Sequence, residues 1–147
     1  MNSARKFFSD QDQQAIKNAI IKAEKGTSGE IRVHIENTFR GEVLDQAAYI
    51  FKQLKMHQTE QRNGVLFYLS IRTRQFAIIG DAGIHAKVPE GFWDQIKDVM
   101  TEHFKNNRFT QGLVEGITMA GEKLVEYFPY LENDKNELSD DISFGKS

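Results

Sequence analysis

The sequence contains no cysteine among its 147 residues, which excludes disulfides, thiolate metal centres and cysteine nucleophiles. It also lacks any excess of basic charge: the formal net charge is -2 and no basic stripe interrupts the chain. A nucleic-acid partner is therefore not expected, since phosphate backbones are held by clustered Lys and Arg. No run of about eighteen apolar residues occurs, so no membrane-spanning helix is expected. The first residues, Met1 to Asp10, carry no apolar targeting core, and the default expectation is a cytoplasmic location. The four histidines show no HExxH-type spacing, and no phosphate-cradling or dinucleotide-binding glycine pattern is present. Ser70 and Thr73 have no histidine partner visible in the sequence, so a Ser-His-Asp nucleophile finds no support there.

What remains is an ordinary globular composition, 39% hydrophobic and 27% charged, at a length that suits one domain. Ser9 with Asp10 and Asp12 reads as a helix N-cap with first-turn acids, followed by Ile16, Ala19, Ile20 and Ala23 at helical spacing. Ile31, Val33 and Ile35 alternate with Arg32, His34 and Glu36, which is the period of a half-buried strand. Leu44, Ala47, Ala48, Phe51 and Leu54 mark a second helix. Val65 to Leu69 is continuously apolar, as in a strand covered on both faces. Strand, helix, strand implies a right-handed crossover and a parallel pair. The short turn at Arg72, Thr73 and Arg74 then predicts an antiparallel return over Gln75 to Ile79. Asp81 to Gly91 reads as a loop, and helices follow around Trp93 to Phe104 and Leu113 to Leu124. Gly112, Gly116 and Gly121 cost about 1 kcal/mol each in a helix and predict close packing on the sheet. Residues 129–147 are polar and acidic, and predict a mobile tail after a domain over residues 1–128.

Several segments together resemble the TPM-domain family of thylakoid-lumen phosphatases and related bacterial proteins. They are Thr27-Ser28-Gly29-Glu30-Ile31, Ala47 to Phe51, Asn63-Gly64-Val65-Leu66, Gly80-Asp81-Ala82-Gly83-Ile84, and Phe109-Thr110-Gln111-Gly112 with Gly116-Ile117. The resemblance implies a three-layer α/β/α sandwich with a short mixed central sheet and about four main helices. It also implies a Ca²⁺ or Mg²⁺ site in loops at one end of the sheet, and acid phosphatase activity in some members. This sequence places His85 where many members have Glu, and shows neither the signal peptide nor the membrane helix that many of them carry.

With that resemblance, Asp81 is the first candidate metal ligand, flanked by Gly80 and Gly83, whose freedom at φ > 0 would turn backbone carbonyls toward an ion. The alternative is that Asp81 caps a turn through its own backbone. Asp45, Glu30 and Asn63 are further oxygen donors, and Arg62 can hold a phosphate. Asp45 equally suits a first-turn acid facing a helix dipole. Under the hairpin reading, Asp45 lies at the opposite end of the sheet from Asp81. Glu90 and His85 are outer candidates in the same loop. Two functions follow: a cation-binding protein acting on a phosphoester, with catalytic residues that the sequence does not identify, or a noncatalytic module that docks a protein partner.

Overall fold

The computed structural model describes residues 4–130 and 137–145. Its helices are α1 (Ala4–Phe7), α2 (Asp10–Glu24), α3 (Val43–Gln53), α4 (Ala82–Lys87), α5 (Asp94–Lys105) and α6 (Phe109–Tyr127). The strands are β1 (Glu30–Glu36), β2 (Gly64–Ser70), β3 (Gln75–Gly80) and β4 (Ser143–Phe144). They form one mixed sheet in the order β3-β2-β1-β4. β1 and β2 are parallel, from Glu30 opposite Gly64 to Glu36 opposite Ser70, and β3 returns antiparallel on β2.

The layers follow from the side-chain period of the strands. Ile31, Val33 and Ile35 of β1 join Val65, Phe67 and Leu69 of β2 on one face, packed on Ile16 and Ile20 of α2, Ile96 and Met100 of α5 and Leu113 and Ile117 of α6. Leu66, Tyr68 and Ala77 face the other way, onto Ala47, Ile50 and Phe51 of α3. A three-layer α/β/α sandwich with four long helices is thus what the hydrophobic periods specify. Ser9 caps α2 as expected, its hydroxyl accepting from Asp12 N at 3.0 Å.

Three local features differ from the sequence reading. The segment after β3 is not a loop, because Asp81 caps a short helix, α4. Gly80 and Gly83 lie in β3 and α4, and the positive-φ glycines among the described residues are Gly41 and Gly91. The glycines of α6 face helices instead of the sheet: a Cβ at Gly112 or Gly116 would strike Phe104 or Met100 of α5, and one at Gly121 would strike Ala23 of α2. Helix-to-helix contact this close offsets the poor propensity of glycine, since burying a Phe or Met side chain contributes about 1.5–3 kcal/mol.

Of the expected tail, residues 131–136 and 146–147 lie outside the described residues, and residues 137–145 lie against the fold as a strap. Ser143 and Phe144 pair in parallel with His34 and Ile35, and Ile142 and Phe144 pack against the main core. Polarity alone predicts a tail here. The polar row Glu30, Arg32, His34 and Glu36, on the face of β1 away from the main core, supplies the partners that a polar strap needs.

Candidate functional site

Because β3 runs against β1 and β2, its C-terminal end meets their N-terminal ends. Asp81 therefore stands beside the starts of β1 and β2, with Asn63 one residue before β2 and Glu30 first in β1. Asp45, exposed in the first turn of α3, follows β1 and lies at the far end. Four of the five candidate ligand residues, Glu30, Asn63, Asp81 and Gly83, thus share one end of the sheet, and Asp45 does not.

At the strand-start end Asp81 is buried, and Arg62 holds it with two hydrogen bonds, Nε to Oδ2 at 2.7 Å and Nη2 to Oδ1 at 2.9 Å. Oδ1 also accepts from Ala82 N at 2.8 Å. Both oxygens of the carboxylate are engaged, and the hydrogen bonds and charge of Asp81 hold the Arg62 guanidinium protonated beyond its usual range. Arg62 adopts φ 51°, a left-handed backbone unusual for a non-glycine, and its carbonyl accepts from Gly83 N at 2.8 Å. A Cβ on Gly83 would run into the carbonyls of Gln61 and Arg62, so glycine is required here for close approach, in place of the φ > 0 expected of it.

Asn63 is buried and donates Nδ2 to the Ser28 carbonyl at 3.1 Å, while its Oδ1 finds no donor among the described residues. Glu30, also buried, accepts from Leu138 N at 2.6 Å. Burial pushes the Glu30 carboxyl up to about 7; backbone N–H groups of Leu138 and Glu137 oppose the shift and the Glu137 carboxylate adds to it. Glu24, at the end of α2, is pushed up to about 9, first by burial and then by the neighbouring Asp140 carboxyl, against the donation of Ile31 N at 2.8 Å. Two body carboxyls, Glu24 and Glu30, therefore each meet an acid of the strap. A neighbouring like charge disfavours ionisation of Glu24 and Glu30, adding to the effect of burial.

The opposite end of β1 is built differently. Glu36 accepts from Tyr68 OH at 2.6 Å and from Gln46 Nε2 at 2.7 Å, and His34 Nε2 stands 3.6 Å from its second oxygen. Burial alone would push this carboxyl up, but the adjacent His34 imidazole and the hydrogen bonds from Tyr68 and Gln46 outweigh it and hold Glu36 below the ordinary range. Tyr68 is pushed up by burial and by the adjacent carboxylate. His34 Nδ1 meets Ser143 Oγ at 2.9 Å, a pairing across 109 positions that no sequence motif announces. It does not amount to a nucleophile. The Nε2-to-Glu36 distance is too long for the orienting hydrogen bond of a triad, and Glu36 is already committed to Tyr68 and Gln46.

Glu24, Glu137 and Asp140 escaped the sequence reading because the acids of the C-terminal segment read as solvated charge. Among the described residues no three His, Asp or Glu side chains gather as a ready metal cluster. His85 and Glu90 are exposed and line a bowl of about 410 Å³ with Trp93 and Asp94, beyond α4. Among the described residues no helix is long and apolar enough to cross a membrane.

The fold is a mixed α/β sandwich with a four-stranded sheet. The model of the TPM domain matches residues 1–123, and the chain belongs to the TPM-domain family. It is similar to the BA42 protein of the psychrophilic bacterium Bizionia argentinensis, with 45% identity over 95% of this chain and 96% of that one, at a TM-score of 0.90. The N-terminal domain of a P. gingivalis protein shares the fold at 19% identity, covering 82% of this chain and 78% of that chain, with a TM-score of 0.68. The N-terminal domain of the cg2496 protein of Corynebacterium glutamicum does so at 13% identity, over 95% and 81% of the two chains, with a TM-score of 0.64. No curated protein matches the chain.

Proposed function

We propose that this TPM-domain protein binds a divalent cation, Ca²⁺ or Mg²⁺, at the strand-start end of the sheet, and that Glu30 and Glu137 are its carboxylate ligands. The observation that carries this reading is the burial of Glu30 beside a second carboxylate, which leaves a shared proton or a cation as the means of neutralising the pair. Carboxylate oxygens are what a hard cation takes, and Asn63 Oδ1 at the same end of the sheet has no donor among the described residues. Asp81, the first sequence candidate, is better explained as the counter-ion of Arg62 and the cap of α4. Asp45 belongs to the other end of the sheet. Two protein carboxylates without a preformed cluster suit weak binding, about 10⁻⁴ to 10⁻³ M.

Binding to the folded state alone raises the melting temperature as cation is added. A Ca²⁺ and Mg²⁺ titration followed by amide chemical shifts should centre on residues 30, 63 and 137–138, and Glu30→Gln should abolish it. Shifts centred on residues 80–85 that survive Glu30→Gln would return the site to Asp81. Phosphoester cleavage has no specific observation in its favour at this end. The protein is read as a cation-responsive binding module, and cation-dependent phosphate release that Glu30→Gln removes would overturn the noncatalytic part of that reading.

A further inference from the structure

The strap of residues 137–145 is read by side chains from three elements, far beyond what two strand pairs require. Backbone pairing is short: Ser143 and Phe144 lie opposite His34 and Ile35, and Gly145 N donates to the Ile35 carbonyl at 2.9 Å. Yet Lys17 of α2 pairs with Asp141 at 2.9 Å, and His34 of β1 meets Ser143 at 2.9 Å. The Arg5 guanidinium of α1 lies 4.6 Å from the centre of the Phe144 ring. Gly145 presses on Glu36 so closely that an added Cβ would stand 2.6 Å from Oε2 and 2.7 Å from Cγ. Arg32, also facing the strap, keeps its buried Nε without an acceptor among the described residues, near the charge of Asp141. The strap itself is only half-buried from Ile142 to Gly145, and Asp141 is exposed.

We propose that the outer edge of β1 is a docking surface for an extended peptide in parallel register, which carries an acid two positions before a Ser-aromatic-Gly sequence, and that residues 137–145 occupy this surface in cis as a built-in competitor. An open sheet edge is a template for strand addition: backbone bonds give affinity and the flanking side chains give specificity. Lys17 and Arg32 attract the acid, Arg5 lies over the aromatic ring, and the unfilled Arg32 Nε is a donor that an acceptor on the partner would satisfy. Tethering keeps the cis strap at an effective concentration in the millimolar range, so a partner gains access only when the strap lifts. This inference goes beyond the cation reading and does not rest on it.

The test uses full-length protein in EDTA, which removes any cation contribution, and a fluorescent synthetic peptide with the sequence of residues 137–145. Gly145→Val forces the strap off Glu36 in cis while leaving the edge intact, so anisotropy should report binding at least about tenfold tighter than to wild type. A peptide carrying Val at its own Gly145 position should not bind. Asp141→Lys, which removes the Lys17 pair, should expose the edge to a smaller degree and carries the test if Gly145→Val does not fold. A strap that stays docked in both variants, an uncovered edge that ignores the peptide, or equal binding of a scrambled peptide overturns the proposal.

Discussion

Glu30 and Glu36 are the same residue type on the same strand and the same face, six positions apart, and their carboxyls shift in opposite directions. Burial penalises the charged form of both. At the end of β1 the neutral donors Tyr68 and Gln46, with His34 beside them, outweigh that penalty. At the start of β1 the neighbours of Glu30 include Glu137, and the adjacent Glu24 meets Asp140, so the penalty stands and the second acid adds to it. The comparison teaches that the partners a carboxyl meets, more than its depth, set its sign. One end of the strand is thereby finished as structure, and the other is left to accept a proton or a cation.

The largest effect is expected from removing the acceptor that finishes the far end. Glu36→Ala leaves the Tyr68 hydroxyl and Gln46 amide unsatisfied in a half-buried position and should cost about 1–3 kcal/mol in urea unfolding. Glu30→Gln should cost far less in EDTA at neutral pH, and a loss equal to that of Glu36→Ala would erase the contrast.

Acidity separates the ends more sharply. Glu30 and Glu24 titrate higher in the fold than their ordinary 4.5, so their contribution is full below that value. It is lost as pH rises, through about 7 for Glu30 and about 9 for Glu24. Glu36 titrates lower in the fold, so its contribution is present above 4.5 and lost as pH falls through its depressed value. Urea midpoints in EDTA should therefore decline on both the acid and the alkaline side. Glu30→Gln should flatten the alkaline limb between about 5 and 7, while the acid limb should persist. An unchanged alkaline limb would show that Glu30 does not carry it.

The smallest effect is expected at Arg62 and Asp81. Asparagine still caps a helix, and Arg62 is half-exposed, so Asp81→Asn should cost about 1 kcal/mol or less and leave both pH limbs in place. It should also leave cation affinity unchanged. Loss of binding in this variant would mean that the cation displaces Arg62.

Much of this fold was legible in the sequence, because long amphipathic periods in α2, α3, α5 and α6 and the apolar run of β2 each fix an element and its buried face. The antiparallel return of β3 followed from the three-residue turn after β2, and with it the separation of Asp45 from Asp81. What escaped were features made by distant partners. Two residues of β4 carry no readable period, and α4 is recognisable only once Asp81 is seen to cap it and Gly83 to pass under Arg62. The acid pairs were hidden for the same reason: Glu24 and Asp140 are 116 positions apart, and only the strap brings them together.

The difference between the two ends can be read directly from carboxyl carbons by NMR, titrating Glu24, Glu30 and Glu36 individually in EDTA and again with Ca²⁺. In EDTA the expected midpoints are about 9 for Glu24 and about 7 for Glu30, with Glu36 below 4.5. Added Ca²⁺ should lower the Glu30 midpoint and leave Glu36 where it is, because a bound cation favours the ionised form. Coincident titration of Glu30 and Glu36 near 4.5, unmoved by Ca²⁺, would contradict these expectations.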